Sequence, residues 1–301
     1  MPPEAAPSFA ELQRPLPRVS PRAWRFAAAR AASRGGALLS DGLRIGWSRG
    51  FDSGPFMAHV YANRPAGRTP FGRAIDRRLL ERRTCVAFRD IRALAQAAII
   101  EAIDAVDSPE PVVADLAAGP ATYLVRALAE RPAARAIACD IDPAALKEAR
   151  TATAAGGVED RVELRQADAF DRNTLKTLNT AGAEPLSTVN CQPSTGQSPA
   201  VVIELGLYGI YHDDSRLERH LHDLGELVGP AQIVFNVQVR NPEIEHIARV
   251  WRNAAGERCV WRLRPVEQVL AYAADAGYEP ASVTADRHGI YRVVRLKRSA
   301  S

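Results

Sequence analysis

From residue 112 onward, short apolar runs at 112–116, 136–139, 161–165, 200–205 and 231–236 alternate with helix-length amphipathic stretches at 121–131, 143–155, 215–228 and 242–252. Strands that alternate with helices build βαβ units, and these place a parallel sheet between two helical layers. The third amphipathic stretch shows the helical period clearly: Leu217, Leu221, Leu224 and Val228 recur on one face. Asp213 and Asp214 precede it and suit an N-cap and first turn. The C-terminal part leaves this rhythm. Pro265 opens a helix through Val266, Val269, Leu270 and Ala273 that ends at Gly277. SVTAD (282–286) and GIYRVVRL (289–296) then flank a two-residue Arg-His turn. A hairpin there makes the last strand antiparallel to its neighbour.

The expected fold class is therefore α/β, a Rossmann-like seven-stranded, mostly parallel sheet with an antiparallel last strand, carried by residues 108–301. Residues 1–107 read as helices broken by Gly/Pro-rich stretches at 35–54 and 63–72, an N-terminal helical cap or lid. The segment 179–199 is polar, rich in turn formers and without periodicity, a surface insertion. The chain has 301 residues and is 47% hydrophobic, enough for a full core. Its first 107 residues hold 17 Arg and no Lys against ten acidic residues. The arginines are scattered among acids without interleaved aromatics, and the whole chain has only three lysines, which indicates a preference for Arg over Lys; nucleic acid is not an expected partner. No run of 18 apolar residues exists, since ALAQAAII at 93–100 is short and carries Gln96, so no membrane span is expected. The opening MPPEAAPSFAELQRP has Glu4 and several prolines in place of a secretory apolar core. Cys85, Cys139, Cys191 and Cys259 form no CxxC or Cys/His cluster. That spacing argues against disulfides and a metal site and for a cytoplasmic protein.

In an open α/β sheet, ligands bind outside the carboxyl ends of the strands where strand order reverses. The first such loop, in VVADLAAGPATYL (112–124), runs from Asp115 to Pro120 and has one glycine, Gly119. The second strand ends at ACDID, and Asp140 there is placed to accept both hydroxyls of a ribose. After the third strand, QADAFD offers Asp168 to an adenine amino group, with Ala169 and Phe170 flanking the ring. Each acid also has a structural use: Asp115 as a cap, and Asp140 with Asp142 at a helix start. The scarcity of glycine discriminates between cofactors. A pyrophosphate needs close backbone approach and hence several glycines. A cofactor without phosphate tolerates alanine at 117, 118 and 121, which favours S-adenosylmethionine (SAM) over NAD.

The whole resembles the class I SAM-dependent methyltransferases, and within them a branch found alone or fused behind an α/β-hydrolase domain. The matching stretches are FDSG (51–54), VYANRPAG (60–67), FGRAIDRRLL (71–80), VADLAAGPATYL (113–124), ADAFDR (167–172), GLYGIYHDD (206–214), PEIEHIAR (242–249) and DRHGIYRV (286–293). The resemblance implies that Asp115 and Gly119 lie at the methionine end of the cofactor, Asp140 at the ribose and Asp168 with Ala169 at the adenine. Ala117, Tyr123, Ile141 and Gly206 complete the expected cofactor-binding set. The chain departs from the branch at Pro120-Ala121, where His-Gly is usual, at Gly209, where an acid is usual, and at VRN (239–241), where a Pro-Trp-His-like stretch is usual.

Tyr208, with Tyr123 and Tyr61, is expected near the sulfonium, since aromatic faces attract cations. His212 and Asp213 are the candidate bases for an acceptor hydroxyl or amine. Asn236 and Gln238 would orient a polar substrate, and Arg73 and Asp76 would hold the methionine carboxylate and amine or fix the lid. The expected activity is methyl transfer to a small molecule, in secondary metabolism. Two alternatives stand beside it: cyclisation of SAM itself to azetidine-2-carboxylate and methylthioadenosine, and a non-catalytic SAM-binding module. The expected partners are a small-molecule substrate and a second copy of the chain in a homodimer.

Overall fold

The computed structural model describes residues 7–178 and 198–299. Most of the 179–199 insertion thus lies outside the described residues. The chain divides into two compact units: residues 1–89 with 240–263, and residues 90–239 with 264–301.

The first unit begins with five helices, α1 (Phe9–Gln13), α2 (Pro21–Gly36), α3 (Asp41–Arg49), α4 (Gly54–Ala62) and α5 (Pro70–Leu80). Each starts at a hydroxyl cap: Ser8, Ser20, Ser40, Ser53 and Thr69 accept the amides of Glu11, Ala23, Leu43, Phe56 and Gly72. A cap of this kind stabilises a helix start by about 1 kcal/mol, which matters for helices this short. The division into units falls inside the next helix, α6 (Arg83–Asp104).

The second unit runs β1 (Val112–Asp115), α7 (Thr122–Glu130), β2 (Arg135–Asp140), α8 (Pro143–Ala155), β3 (Val162–Gln166), α9 (Arg172–Leu178), β4 (Val201–Glu204), α10 (Asp214–Asp223) and β5 (Gln232–Gln238). The chain then returns to the first unit for α11 (Ile244–Val250), and the second unit ends with α12 (Val266–Asp275), β6 (Tyr278–Ala285) and β7 (Tyr291–Arg298). The sheet order is β3-β2-β1-β4-β5-β7-β6. β1 pairs in parallel with both β2 and β4, so strand order reverses there. β7 lies antiparallel between β5 and β6. The strands are apolar because both faces are covered: every residue of β1, β4 and β5 is buried.

Two boundaries differ from the sequence expectation. The hairpin connection is residues 286–290 and not a two-residue turn, because the buried Asp286 carboxylate accepts the amides of His288 (2.9 Å) and Tyr291 (2.5 Å) and closes a wider loop. The stretch 242–252 is helical in α11, but it packs in the first unit, where 108–301 had been expected to be one domain. Trp251 causes this: its ring stacks on Phe51 (4.7 Å, 13°) and meets Phe56 edge-on (6.0 Å). Arg249 adds bonds to the carbonyls of Leu12, Arg14 and Glu11, and the Phe51 amide donates to Arg252 O (2.8 Å). An amphipathic helix shows that it has an apolar face, not which surface that face meets.

Candidate functional site

The reversal point between β1 and β4 places the carboxyl ends of both strands side by side in the second unit. Asp115 ends β1 with no exposed surface. Its Oδ1 accepts the Ala117 amide (3.3 Å), while Oδ2 is buried without a hydrogen-bond partner among the described residues. Burial pushes the Asp115 pKa up to about 8 against the opposing Tyr123 hydroxyl and Ala117 amide, with the charges of Asp140 and Glu204 adding to the rise. The Tyr123 hydroxyl lies 3.4 Å from the carbonyls of both Ala117 and Ala118 and shares its one proton among these oxygens and the Asp115 carboxyl, so this tyrosine braces the loop. The Ala118 amide donates to Cys139 O (2.9 Å), and the Gly119 amide to Asp140 Oδ2 (2.8 Å). The β1 loop is thereby stapled to the end of β2.

Asp140 also accepts the Asp142 amide on Oδ1 (2.9 Å), and Asp142 caps α8. Burial raises the Asp140 pKa even with these backbone bonds opposing it. Each carboxylate oxygen has two lone pairs, so further hydroxyl donors can still be accepted. The next residue, Ile141, is 65% exposed, unusual for a large aliphatic side chain at the end of a buried strand. Asp168 follows β3; its Oδ1 accepts the Phe170 amide (2.9 Å) and its Oδ2 lies 3.8 Å from Arg216. Ala169 is buried, and Phe170 stacks on Tyr211 (3.8 Å) and on His220 (4.3 Å). At Gly119 (φ 52°) and Gly206 (φ 81°) an added Cβ would meet nothing within 4 Å, so the protein leaves space at both turns.

The loop after β4 is built differently. Tyr208 is fully buried, its ring stacks on Phe235 (4.9 Å), and its hydroxyl donates to Glu204 Oε2 (2.6 Å). Burial, followed by the Glu204 charge, raises the phenol pKa well above its ordinary value. The expectation that Tyr208 projects toward a reacting sulfur is therefore corrected: the ring belongs to the core, because its hydroxyl finds a buried acceptor there. Asp213 caps α10 through Ser215 (3.0 Å), and the Ser215 hydroxyl leads the interactions that lower its pKa, so it is a weak base. His212 is exposed. Asn236 accepts the Gly206 amide (2.7 Å), which makes it a support of the loop rather than a free polar group. Gln238 donates to the Tyr291 hydroxyl (2.9 Å) and keeps a buried Oε1 without a partner.

The structure groups Asp115, Ala117, Gly119, Asp140, Ile141, Asp168, Ala169 and Gly206 at the carboxyl ends of β1–β4 and in the loops that follow, with Tyr123 in the first turn of α7. Tyr61, Arg73 and Asp76 belong to the first unit. Tyr61 is half-buried on α4 and Arg73 is exposed on α5. Of the two roles expected for Asp76, its bonds fit fixing the N-terminal helices rather than holding methionine: it accepts from Ser40 Oγ (2.6 Å), the Gly42 amide (2.7 Å), His59 Nε2 (2.9 Å) and the Ala66 amide (2.9 Å). Burial alone would raise its pKa; the bonds from His59, Ser40 and Ala66 outweigh that and lower it. A carboxylate already holding four donors has little left for a ligand.

Sequence reasoning missed Glu204, His220 and Arg264. Glu204 ends β4 fully buried, shared between Tyr208 and His220 Nε2. Two signals were present: an acid closing an otherwise apolar strand, and a histidine on the Leu217/Leu221/Leu224 face of α10. Cys85, Cys139 and Cys259 are free and buried, and burial pushes the first two thiols up to about 12, so neither is a nucleophile; Cys191 lies outside the described residues. Among the described residues no helix is long and apolar enough to cross a membrane.

The sequence of the family described as "Putative methyltransferase" matches residues 4–298. The chain belongs to this family. A curated relative of this chain, protein YnbC of Escherichia coli K12, is 28% identical over 259 residues, covering 84% of this chain and 41% of YnbC. The chain thus spans about two-fifths of that relative's length. A solved protein of Bordetella parapertussis, described as a possible exported protein, has TM-score 0.64 at 17% identity over 94% of this chain and all of its own. Magnesium protoporphyrin IX methyltransferase of Synechocystis, solved with bound SAH, has TM-score 0.54 at 11% identity over 83% and 97%. These solved structures share the fold of this methyltransferase family member: a Rossmann-like, mostly parallel seven-stranded sheet.

Proposed function

We propose that the protein is a SAM-dependent methyltransferase acting on a small molecule. One observation carries the reading: a fully buried Asp115 carboxyl with an unpartnered oxygen at the β1/β4 reversal point. An orphaned buried acceptor is costly unless something supplies a donor or a positive charge. The methionine part of SAM carries both an ammonium and a sulfonium. The open space at Gly119 and Gly206 and the bare Ile141 side chain fit a nucleoside laid across these loops. One glycine in the β1 loop fits a cofactor without phosphates. That a solved chain of the same fold carries SAH supports the choice.

In this reading Asp140 accepts the ribose hydroxyls, Ile141 and Ala169 pack on the adenine, and Asp168 accepts its amino group. Asp115 gives up its proton beside a nearby cofactor cation and then balances positive charge at the methionine end. SAM supplies an activated methyl carbon on a good leaving group, so orientation and exclusion of water provide much of the rate. Tyr208 and Asp213 are committed to the loop and to the helix cap, so neither serves as the base.

The decisive experiment incubates pure protein with SAM, alone and with candidate acceptors, and identifies products by mass spectrometry. S-adenosylhomocysteine formed only with an acceptor is the expected result. Methylthioadenosine formed catalytically without an acceptor would overturn methyl transfer. Binding of SAM with no turnover on any acceptor would leave a binding module instead.

A further inference from the structure

We propose that Arg264 is a positioning residue of the candidate site, whose guanidinium clamps the loop after β4 in the shape that leaves room at Gly206. The loop folds as a turn in which Ile210 N and Tyr211 N both donate to Leu207 O (3.0 and 3.2 Å). That turn leaves the carbonyls of Tyr208 and Tyr211 in need of donors, since buried backbone groups are almost always paired. Arg264 supplies both: it donates to Tyr208 O and to Tyr211 O (2.7 Å). Its Nε donates to Asp214 Oδ1 (2.8 Å), at the first residue of α10. One planar fork therefore holds the loop from its turn to the start of the following helix.

The clamp has a rigid base. Arg264 N donates to Gln238 O (3.0 Å) at the end of β5, and Pro265 beside it caps α12. From the same strand, Asn236 Oδ1 accepts the Gly206 amide (2.7 Å). The loop is thus held at Gly206, Tyr208 and Tyr211 by groups anchored on β5. Arg264 has no exposed surface. A buried guanidinium is expensive and is tolerated only when its donors and charge are answered, as Asp214 and the two carbonyls do here. A lysine ammonium is a point charge and does not reproduce a fork that reaches three acceptors in fixed directions.

This inference rests on the reading of the β1–β4 loops as a SAM site, and its test separates the two. Amide hydrogen exchange and SAH binding by calorimetry would be measured on the full chain for wild type, R264K and D214N. In R264K, exchange at Gly206, Ile210 and Tyr211 should quicken and SAH affinity should fall, each by about tenfold or more, with exchange in β1 and β5 unchanged. D214N keeps the carbonyl contacts and should shift both in the same direction by less. Wild-type loop exchange in R264K would overturn the proposal. So would a rise spread evenly over the second unit, which would mark Arg264 as an ordinary core residue. Should R264K fail to fold, D214N decides: faster exchange confined to 206–211 supports the clamp, and an unchanged loop overturns it. Failure of wild type to bind SAH would remove the cofactor reading, while the exchange data would still decide whether Arg264 holds the loop.

Discussion

The loops after β1 and β4 sit on adjacent parallel strands, yet they settle their polar groups in opposite ways. The β1 loop leaves Asp115 Oδ2 buried without a hydrogen-bond partner among the described residues. The β4 loop has its main groups answered by neighbouring elements: Glu204 takes Tyr208 and His220, Asn236 takes the Gly206 amide, and Arg264 donates to two carbonyls. An unfilled acceptor is a place for a ligand, while a filled network is a place for rigidity. The candidate site therefore combines one receptive loop with one braced loop, and different substitutions should expose the difference.

The largest effect belongs to the braced side. His220→Leu strips one partner from the buried Glu204 and should cost about 3 kcal/mol of stability in denaturant unfolding. The double change with Glu204→Leu should cost less than the sum of the singles, because the orphaned group is gone. A loss well under 1 kcal/mol for His220→Leu would show that Glu204 does not need its partner.

Asp140→Ala acts on the receptive side. It should lower SAH affinity roughly 10- to 100-fold, since it removes charged hydrogen bonds and frees the Gly119 amide that Asp140 now holds. Unchanged affinity in calorimetry would sink the ribose assignment.

Asp115→Asn should show in pH dependence. A carboxyl that keeps its proton up to about pH 8 when folded, against an ordinary value of 3.8, gives the folded state more bound protons than the unfolded state between those values. Stability should therefore fall as pH rises from about 4 to about 8, and Asp115→Asn should flatten that slope in thermal melts. An identical slope in the variant would assign the pH dependence elsewhere.

The smallest effect comes from Ala121, which holds φ 51° and ψ 21° without a side-chain cap for α7. That left-handed conformation costs a non-glycine residue about 1 kcal/mol, a cost that glycine would not carry. Ala121→Gly should raise stability by up to about 1 kcal/mol, and a loss would show that the methyl group packs better than its backbone fits.

Legibility followed the range of the interactions. The strands and helices of the second unit could be read from periodicity, because each apolar face is written in consecutive residues. Asp115, Gly119, Asp140 and Asp168 could be picked out because strand ends announce themselves locally. Tyr208 could be located but its role could not, since its partner Glu204 decides which way the hydroxyl turns. For Asp76 the sequence left two roles open, ligand group or lid support, and its four donors from Ser40, Gly42, His59 and Ala66 decide for support. Arg264 gave no signal, because the two carbonyls it holds lie more than fifty residues earlier in the chain and are backbone atoms that any residue would supply.

By itself the sequence determined the α/β alternation, the reversed last strand and the row of acids at successive strand ends, all matters of local pattern and short-range chemistry. Only the tertiary structure decided that α11 leaves the second unit for the Phe51–Trp251 stack, and which polar groups are spent on the fold and which are left over. A hydrogen bond between distant residues is a fact of three-dimensional distance, and one of its two partners is often a backbone group that carries no residue identity at all.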